Sequence, residues 1–184
     1  YRKRFNAQLE PYLSLPQIRG MEGVRMRTAY QQASRAYGVK WNGRNYDRGN
    51  WNRADPINRA LSAANALLNG LCHAAIVSGG YSTALSFIHT GKQLSFVYDI
   101  ADLYKTEITI PAAFQIVAED VQGIDSRVRK LCREKFRQAR LLERILPDID
   151  EVLGISEADD TSAGDFDLDL ALPDELWKPL VEEG

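Results

Sequence analysis

The sequence has 184 residues, of which 45% are hydrophobic and 26% charged, enough for one domain with a sizeable core. Its two cysteines, Cys72 and Cys132, lie far apart and in no metal-finger spacing, which excludes a disulfide miniprotein and argues against a zinc site. This cysteine usage favours a reducing, cytoplasmic setting. We expect no apolar run near the roughly 20 residues of a membrane span and no signal peptide, hence no membrane partner. The chain begins at Tyr1 in a pattern typical of a helix end, which predicts a fragment of a longer protein.

Charge divides the sequence into two parts. Residues 1–146 contain 22 Lys and Arg against 12 Asp and Glu, a net charge of +10. Residues 147–184 contain 1 against 13, a net charge of −12. A basic body with an acidic tail is typical of a polyanion-binding domain with a separate interaction segment. A solvated surface followed by a disordered tail has the same charge pattern, so charge alone leaves both interpretations open.

The first half of the chain predicts two helices joined by a loop. Apolar residues recur with a helical period over 18–37, and Gly38 stands where a C-terminal cap is expected. Asn, Gly and aromatic residues dominate 39–55, which indicates a loop. Asp55 as an N-cap then begins an Ala- and Leu-rich helix over 56–77. Because this helix is apolar on most faces, we expect it to be the central buried helix.

The second half predicts three more helices and an isolated strand. Two helices are expected over 95–104 and 111–119, separated by a β-branched stretch, and a basic amphipathic helix over 125–146. The fold class predicted up to residue 153 is therefore all-α. Beyond it, the sequence DFDLDLAL at 165–172 alternates acidic and apolar residues with period two, which predicts one β-strand in the acidic tail.

Four polar residues form a candidate metal site. Glu22 lies in RGMEG, His89 in FIHTGK, and Asp99 and Asp102 in SFVYDIADLYK. Since residues three apart share a helix face, the two aspartates repel each other unless a cation lies between them. One histidine with two or three carboxylates suits Mg²⁺ or Mn²⁺, and such an ion beside a basic surface suits phosphodiester chemistry. From spacing alone the signal is weak, because such residues are more often cap, surface and salt-bridge residues.

Other chemical motifs are weaker. His73 lies on the hydrophobic helix beside Cys72, where a hydrogen-bonded core histidine is the expected role. The sequence contains no G-x-S-x-G, no G-x-x-x-x-G-K-[ST] and no H-E-x-x-H, which excludes the common hydrolase, P-loop and zincin signatures.

Four colinear blocks carry a resemblance to a known family. They are LPQIRGMEGVRMRTAY, YGVKWNGRNYD, INRALSAANALLNG and GYSTALSFIHTGKQLSFVYDIADLYK. Together, over about 2–153, the chain resembles the CRISPR-associated integrase of spacer acquisition, the first of the Cas series, in its type I-E branch. The resemblance implies a metal-dependent nuclease-integrase with an N-terminal β domain and a C-terminal helical catalytic domain. This chain corresponds to the second, and the β domain of the family is absent from it.

The resemblance also implies roles for particular residues and partners. Glu22, His89 and Asp102 match the metal ligands of the family, and Asp99 matches an additional acid of the same motif. The implied cofactor is Mg²⁺ or Mn²⁺. The implied partners are double-stranded DNA, as prespacer and CRISPR repeat, a second copy of the full-length protein, and the small second CRISPR adaptation protein. Strand addition to that protein would use the apolar face of the tail, formed by Phe166, Leu168 and Leu170. A disordered acidic tail is the alternative.

These observations predict two segments and one reaction. Residues 1–153 are expected to form a helical metal-dependent catalytic and DNA-binding domain, and 154–184 an acidic linker and partner-docking tail. The expected reaction inserts new spacers into a CRISPR array by transesterification. The predicted phosphate contacts are Arg25, Arg27, Lys105, Arg129 and Arg133. The alternative is a catalytically idle DNA-binding or scaffolding module, which needs no metal.

Overall fold

The computed structural model describes residues 4–5, 9–44, 55–85, 87–89 and 91–155. Within these ranges the chain is helical and contains no strand, which confirms the all-α class. The predicted strand at 165–172 lies outside the described residues. The helices are α1 (Leu15–Tyr37), α2 (Pro56–Ser78), α3 (Ser95–Ala101), a π-helical segment (Lys105–Thr109), α4 (Ile110–Glu119), α5 (Ile124–Gln138) and α6 (Leu141–Leu153).

The ends of α1 and α2 follow from local chemistry. At the start of α1 the Ser14 backbone N–H donates to the Gln17 side chain at 2.8 Å, and at its end Gly38 has a φ of 65°. This left-handed conformation costs a glycine little, which is why the helix stops there. At α2 the Asp55 carboxylate accepts the Asn58 N–H at 2.8 Å, so its predicted role as N-cap is confirmed.

Helix α2 is the centre of the helical body. It packs against α3, α4 and α5, and its residues Leu61, Leu68, Cys72 and Ile76 have no exposed surface. By length and composition alone this 23-residue helix could cross a membrane, so the expectation that no stretch approaches that length is wrong for α2. Its burial against other helices is typical of the core helix of a globular fold.

His73 lies on the outer face of α2 and is exposed. The prediction of a core histidine is therefore wrong. Neighbouring Cys72 faces the core, and successive helical residues are about 100° apart, so His73 points away from it. Cys72 and Cys132 are free thiols in the core. Burial raises the pKa of Cys72 to about 12 and that of Cys132 to about 11, so both stay protonated at neutral pH.

Helix α1 begins at Leu15 rather than at 18, and α3 ends at Ala101 rather than at 104. Two larger differences from the predicted helices follow. The β-branched stretch before Pro111 is π-helical, and the Ile110 N–H donates to the Lys105 carbonyl. Because Pro111 has no N–H to continue the regular ladder, the wider turn is accommodated directly before it. The single helix over 125–146 is also wrong. The chain leaves α5 at Gln138, turns through Arg140 at a φ of 49°, and restarts as α6.

The turn at Arg140 redirects the chain so that α6 has its own buried face, with Leu141, Ile145 and Ile149 in the core. The chain divides into two compact units, Tyr1–Ile149 and Asp150–Gly184. The first contains every residue of the candidate site described below.

Candidate functional site

Glu22 lies in the middle of α1 and is held by two arginines. Its side chain is 9% exposed. Arg25, one turn later on the same helix, donates from Nε to Glu22 Oε2 at 2.7 Å and from Nη2 to Oε1 at 2.9 Å. Arg25 also donates to the Thr106 hydroxyl at 3.1 Å, which links α1 to the π-helical segment. Paired contacts of this kind fix the plane of a carboxylate as well as its position.

Asp99 organises the loop that carries His89. Its carboxylate accepts the backbone N–H groups of Phe87, Ile88 and His89 at 3.0, 3.0 and 3.1 Å. The same carboxylate contacts His89 Nδ1 at 2.7 Å. Asp99 therefore fixes both the backbone of residues 87–89 and the orientation of the imidazole ring.

The protonation state of Asp99 follows from these contacts. Burial acts to raise its pKa, but the hydrogen bonds from Ile88, the His89 ring, Phe87 and the His89 backbone outweigh burial and lower the pKa below its usual value. Asp99 is therefore a carboxylate at neutral pH, and His89 Nδ1 donates to it. The other ring nitrogen, Nε2, lies 4.0 Å from Asp102 Oδ2 and is left for a ligand.

Arg4 brings Glu22 and Asp102 together. Its Nη1 lies 3.4 Å from Glu22 Oε1 and its Nη2 lies 3.2 Å from Asp102 Oδ2. Lys105 Nζ forms a second ion pair with Asp102. The Arg4 guanidinium thus contacts both Glu22 and Asp102. His89 Nε2 lies near Asp102, and Asp99 contacts the other ring nitrogen of His89.

The chemistry of these donor groups fits a hard divalent cation. Two carboxylates and an imidazole nitrogen are an oxygen and nitrogen ligand set suited to Mg²⁺ or Mn²⁺. Among the described residues no three His, Cys, Asp or Glu side chains are close enough to form a ready-made metal site. Arg4 contacts both carboxylates, one through each terminal nitrogen.

The predicted phosphate contacts fall into two groups. Arg25 forms an ion pair with Glu22, and Lys105 forms one with Asp102, so both contact candidate metal ligands. Arg27, Arg129 and Arg133 are exposed, and none of them forms an ion pair with a carboxylate in the part of the chain described. Their roles in DNA binding stay predictions.

Sequence reasoning did not find Arg4 and Arg144. Both line a cavity of about 1020 Å³ between α1, α4 and the first half of α6, together with Arg25 and Tyr104. The Arg144 guanidinium lies 5.6 Å from the centre of the Tyr104 ring, close enough for a cation–π contact. In the sequence Arg4 ends the basic run at 2–4, Arg144 lies among apolar and acidic residues, and no local signal marks either as inward-facing.

Comparison with known proteins gives the family of the chain. Residues 2–131 match the family described as CRISPR associated protein Cas1. The chain is 53% identical over 180 residues to CRISPR-associated endonuclease Cas1 2 of Thermus thermophilus, covering 96% of this chain and 54% of that protein. It is 44% identical over 154 residues to CRISPR-associated endonuclease Cas1 of Escherichia coli, covering 84% and 50%.

Solved structures agree with this assignment. A crystal structure of a TtCas1–DNA complex superposes with a TM-score of 0.75 at 58% identity, over 80% of this chain and 54% of that chain. A crystal structure of TtCas1 gives a TM-score of 0.71 at 55% identity, over 80% and 55%. This chain spans about half the length of the curated relatives it matches. The chain belongs to the CRISPR-associated Cas1 family.

Proposed function

We propose that the protein is a metal-dependent DNA endonuclease and integrase that inserts new spacers into a CRISPR array, and that this chain is its catalytic helical part. The observation that carries the proposal is that Glu22 and Asp102 both contact Arg4, while His89 Nε2 lies 4.0 Å from Asp102 Oδ2. The relatives named above are called endonucleases, which supports a nuclease-type reaction at phosphodiesters.

Glu22, His89 and Asp102 are the residues that would hold Mg²⁺ or Mn²⁺. Such an ion, when bound, polarises a phosphoryl oxygen and activates the attacking hydroxyl. Asp99 positions His89 through Nδ1, and Arg25 positions Glu22 through its two hydrogen bonds. Precise orientation of ligands matters because carboxylates and imidazoles bind an ion well only along their lone pairs.

The proposed reaction exchanges one phosphodiester for another. A 3′-oxygen of the incoming DNA forms a bond to a phosphorus of the repeat, and the bond from that phosphorus to the repeat's own 3′-oxygen breaks. The proton lost by the attacking hydroxyl is balanced by the one that the leaving oxygen gains, so the step requires no further reactant.

Double-stranded DNA is the proposed substrate. A relative of the chain has been crystallised as a complex with DNA, and α5 carries exposed arginines on a body whose net charge is positive. Lys and Arg contacts to phosphates hold a duplex in register without reading its sequence. The cytoplasmic location and the homodimer of the full-length protein stay predictions of the same proposal.

Binding of Mn²⁺ tests the metal site directly. We expect the intact protein to bind one Mn²⁺ at this site, measured by water-proton relaxation, and His89→Ala to weaken binding about 10- to 100-fold. His73→Ala is the matched control, because it removes an exposed histidine on α2 and leaves the candidate ligands in place. Equal Mn²⁺ affinity in parent and His89→Ala would contradict the proposed ligand set and favour an idle DNA-binding or scaffolding module.

The salt dependence of DNA binding tests the basic helix. Replacing Arg129 and Arg133 together by Ala should reduce the slope of log K against log salt concentration by ~2, since each phosphate contact contributes about 0.9. Arg127→Ala is the control on the same helix, because Arg127 is paired with Glu119 at 2.7 Å and is therefore not free for phosphate. If the double variant keeps the slope of the parent, α5 is not a DNA-contacting helix.

The acidic tail is the proposed docking segment for the small second adaptation protein. Its residues Phe166, Leu168 and Leu170 lie outside the described residues, so the proposal rests on their alternation with aspartates. We expect deletion of the residues after Gly154 to abolish co-purification with that partner, while the circular dichroism of the remaining helices is retained. Co-purification that survives the deletion would refute the docking role.

A further inference from the structure

Two carboxylates of the site share one buried cation that belongs to the chain itself. The Arg4 side chain is 4% exposed, and its two terminal nitrogens contact Glu22 and Asp102 separately. Like charges brought together in a partly buried site repel unless a positive charge lies between them. Arg4 supplies that charge.

The other cations nearby do not occupy the same position. Arg25 contacts Glu22, and Lys105 contacts Asp102, so each pairs with one of the two carboxylates. Among the described residues Arg4 is the cation that bridges both, and His89 Nε2 also faces Asp102 at 4.0 Å. An ion held by both Glu22 and Asp102 would therefore compete with Arg4 for these carboxylates.

A further contact holds Arg4 there independently of the carboxylates. Its Nη2 donates to the backbone carbonyl of Asp99 at 3.3 Å. Asp99 lies in the last turn of α3, where the partial negative charge of the carbonyl end of a helix favours a positive charge. The guanidinium can thus remain attached to α3 through this carbonyl when it gives up the carboxylates.

We infer that Arg4 is a built-in substitute for the divalent ion: it holds Glu22 and Asp102 together before metal is bound and must release them when metal binds. This inference rests on the proposed metal-dependent function. It assigns Arg4 as a positioning residue that competes with the ion, rather than as a ligand or a catalytic residue.

The inference predicts opposite effects of one substitution with and without metal. In the intact protein Arg4→Gln should raise the affinity for Mn²⁺ about tenfold or more, because the ion no longer displaces a buried guanidinium. Without metal the same variant should unfold at a lower temperature than the parent, and Mn²⁺ should restore most of the difference. Arg59→Gln is the matched control, since it removes an ion pair with Asp125 at 3.1 Å away from the site.

Two further variants keep the test decisive if Arg4→Gln does not fold. Arg4→Lys retains the charge but has one terminal nitrogen in place of two, so it cannot contact both carboxylates as the guanidinium does. Because it competes less well with the ion, the affinity for Mn²⁺ should again exceed that of the parent. A double-mutant cycle of Arg4→Lys with Asp102→Asn, measured by thermal unfolding without metal, should be non-additive.

The outcomes separate this inference from the proposed function. Mn²⁺ binding by the parent with equal or weaker binding by both Arg4 variants overturns the role of Arg4 and leaves the metal-dependent function standing. Absence of Mn²⁺ binding in every variant removes the proposed function and this inference with it. An additive cycle without metal overturns the inference alone, because Arg4 and Asp102 would then not stabilise each other.

Discussion

Asp102→Ala in the intact protein is expected to abolish strand integration while leaving DNA affinity close to that of the parent. Under the proposed function Asp102 is a metal ligand, and the ion stabilises charge that develops in the transition state rather than in the docked complex. We expect a loss of integration rate of more than about 100-fold, which corresponds to roughly 3 kcal/mol of transition-state stabilisation. The measurements are integration of a labelled prespacer and DNA affinity by fluorescence anisotropy.

The surroundings of Asp102 explain why DNA affinity should survive. Asp102 pairs with Arg4 and Lys105, so its removal leaves two cations beside the site and does not remove a phosphate-binding group. Asp125→Ala is a matched control, because it removes one partly exposed aspartate and its ion pair with Arg59 on α2. A parallel loss of DNA affinity and integration in Asp102→Ala would mean that Asp102 serves folding or docking, and would contradict its role as a ligand.

Asp99→Ala is expected to destabilise the protein and to free the His89 ring from its fixed orientation toward Asp102. The substitution removes the acceptor for three backbone N–H groups and for His89 Nδ1. Each buried donor left without an acceptor costs about 1–3 kcal/mol. Because residues 87–89 can open and let water replace the lost acceptor, the total penalty is smaller than the sum over all four donors. We therefore expect the free energy of unfolding to fall by about 3 kcal/mol. Chemical denaturation followed by circular dichroism measures the change.

Asp55→Ala provides the comparison for that effect. Asp55 is also an aspartate that accepts a backbone N–H, but it caps α2 through a single hydrogen bond, and loss of such a cap costs about 1 kcal/mol. If Asp99→Ala and Asp55→Ala destabilise the protein equally, the network around Asp99 does not hold residues 87–89 in place. The claim that Asp99 fixes the orientation of His89 would then be contradicted by the stability measurements.

The sequence alone predicted those features that depend on neighbouring residues. Helical periodicity predicted α1 and α2, and Gly38 and Asp55 marked helix ends, because a cap is made by groups within one turn of each other. The resemblance of whole sequence blocks selected Glu22, His89, Asp99 and Asp102 as site residues. Neither spacing nor periodicity could have chosen these three acids from the other acids of the chain, or His89 rather than His73.

Tertiary structure decided the features that depend on distant residues. The break at Arg140 lies within a continuous amphipathic pattern, and burial of the face of α6 determines where the chain turns. Asp99 and Asp102 are three positions apart, yet one fixes the His89 loop and the other faces Arg4, because neighbouring elements approach them from different sides. Arg4 and Asp99 are 95 positions apart. In the sequence a buried arginine has the same charge as an exposed one and cannot be distinguished from it. Only the folded structure identifies Arg4, through the carboxylates that surround its guanidinium.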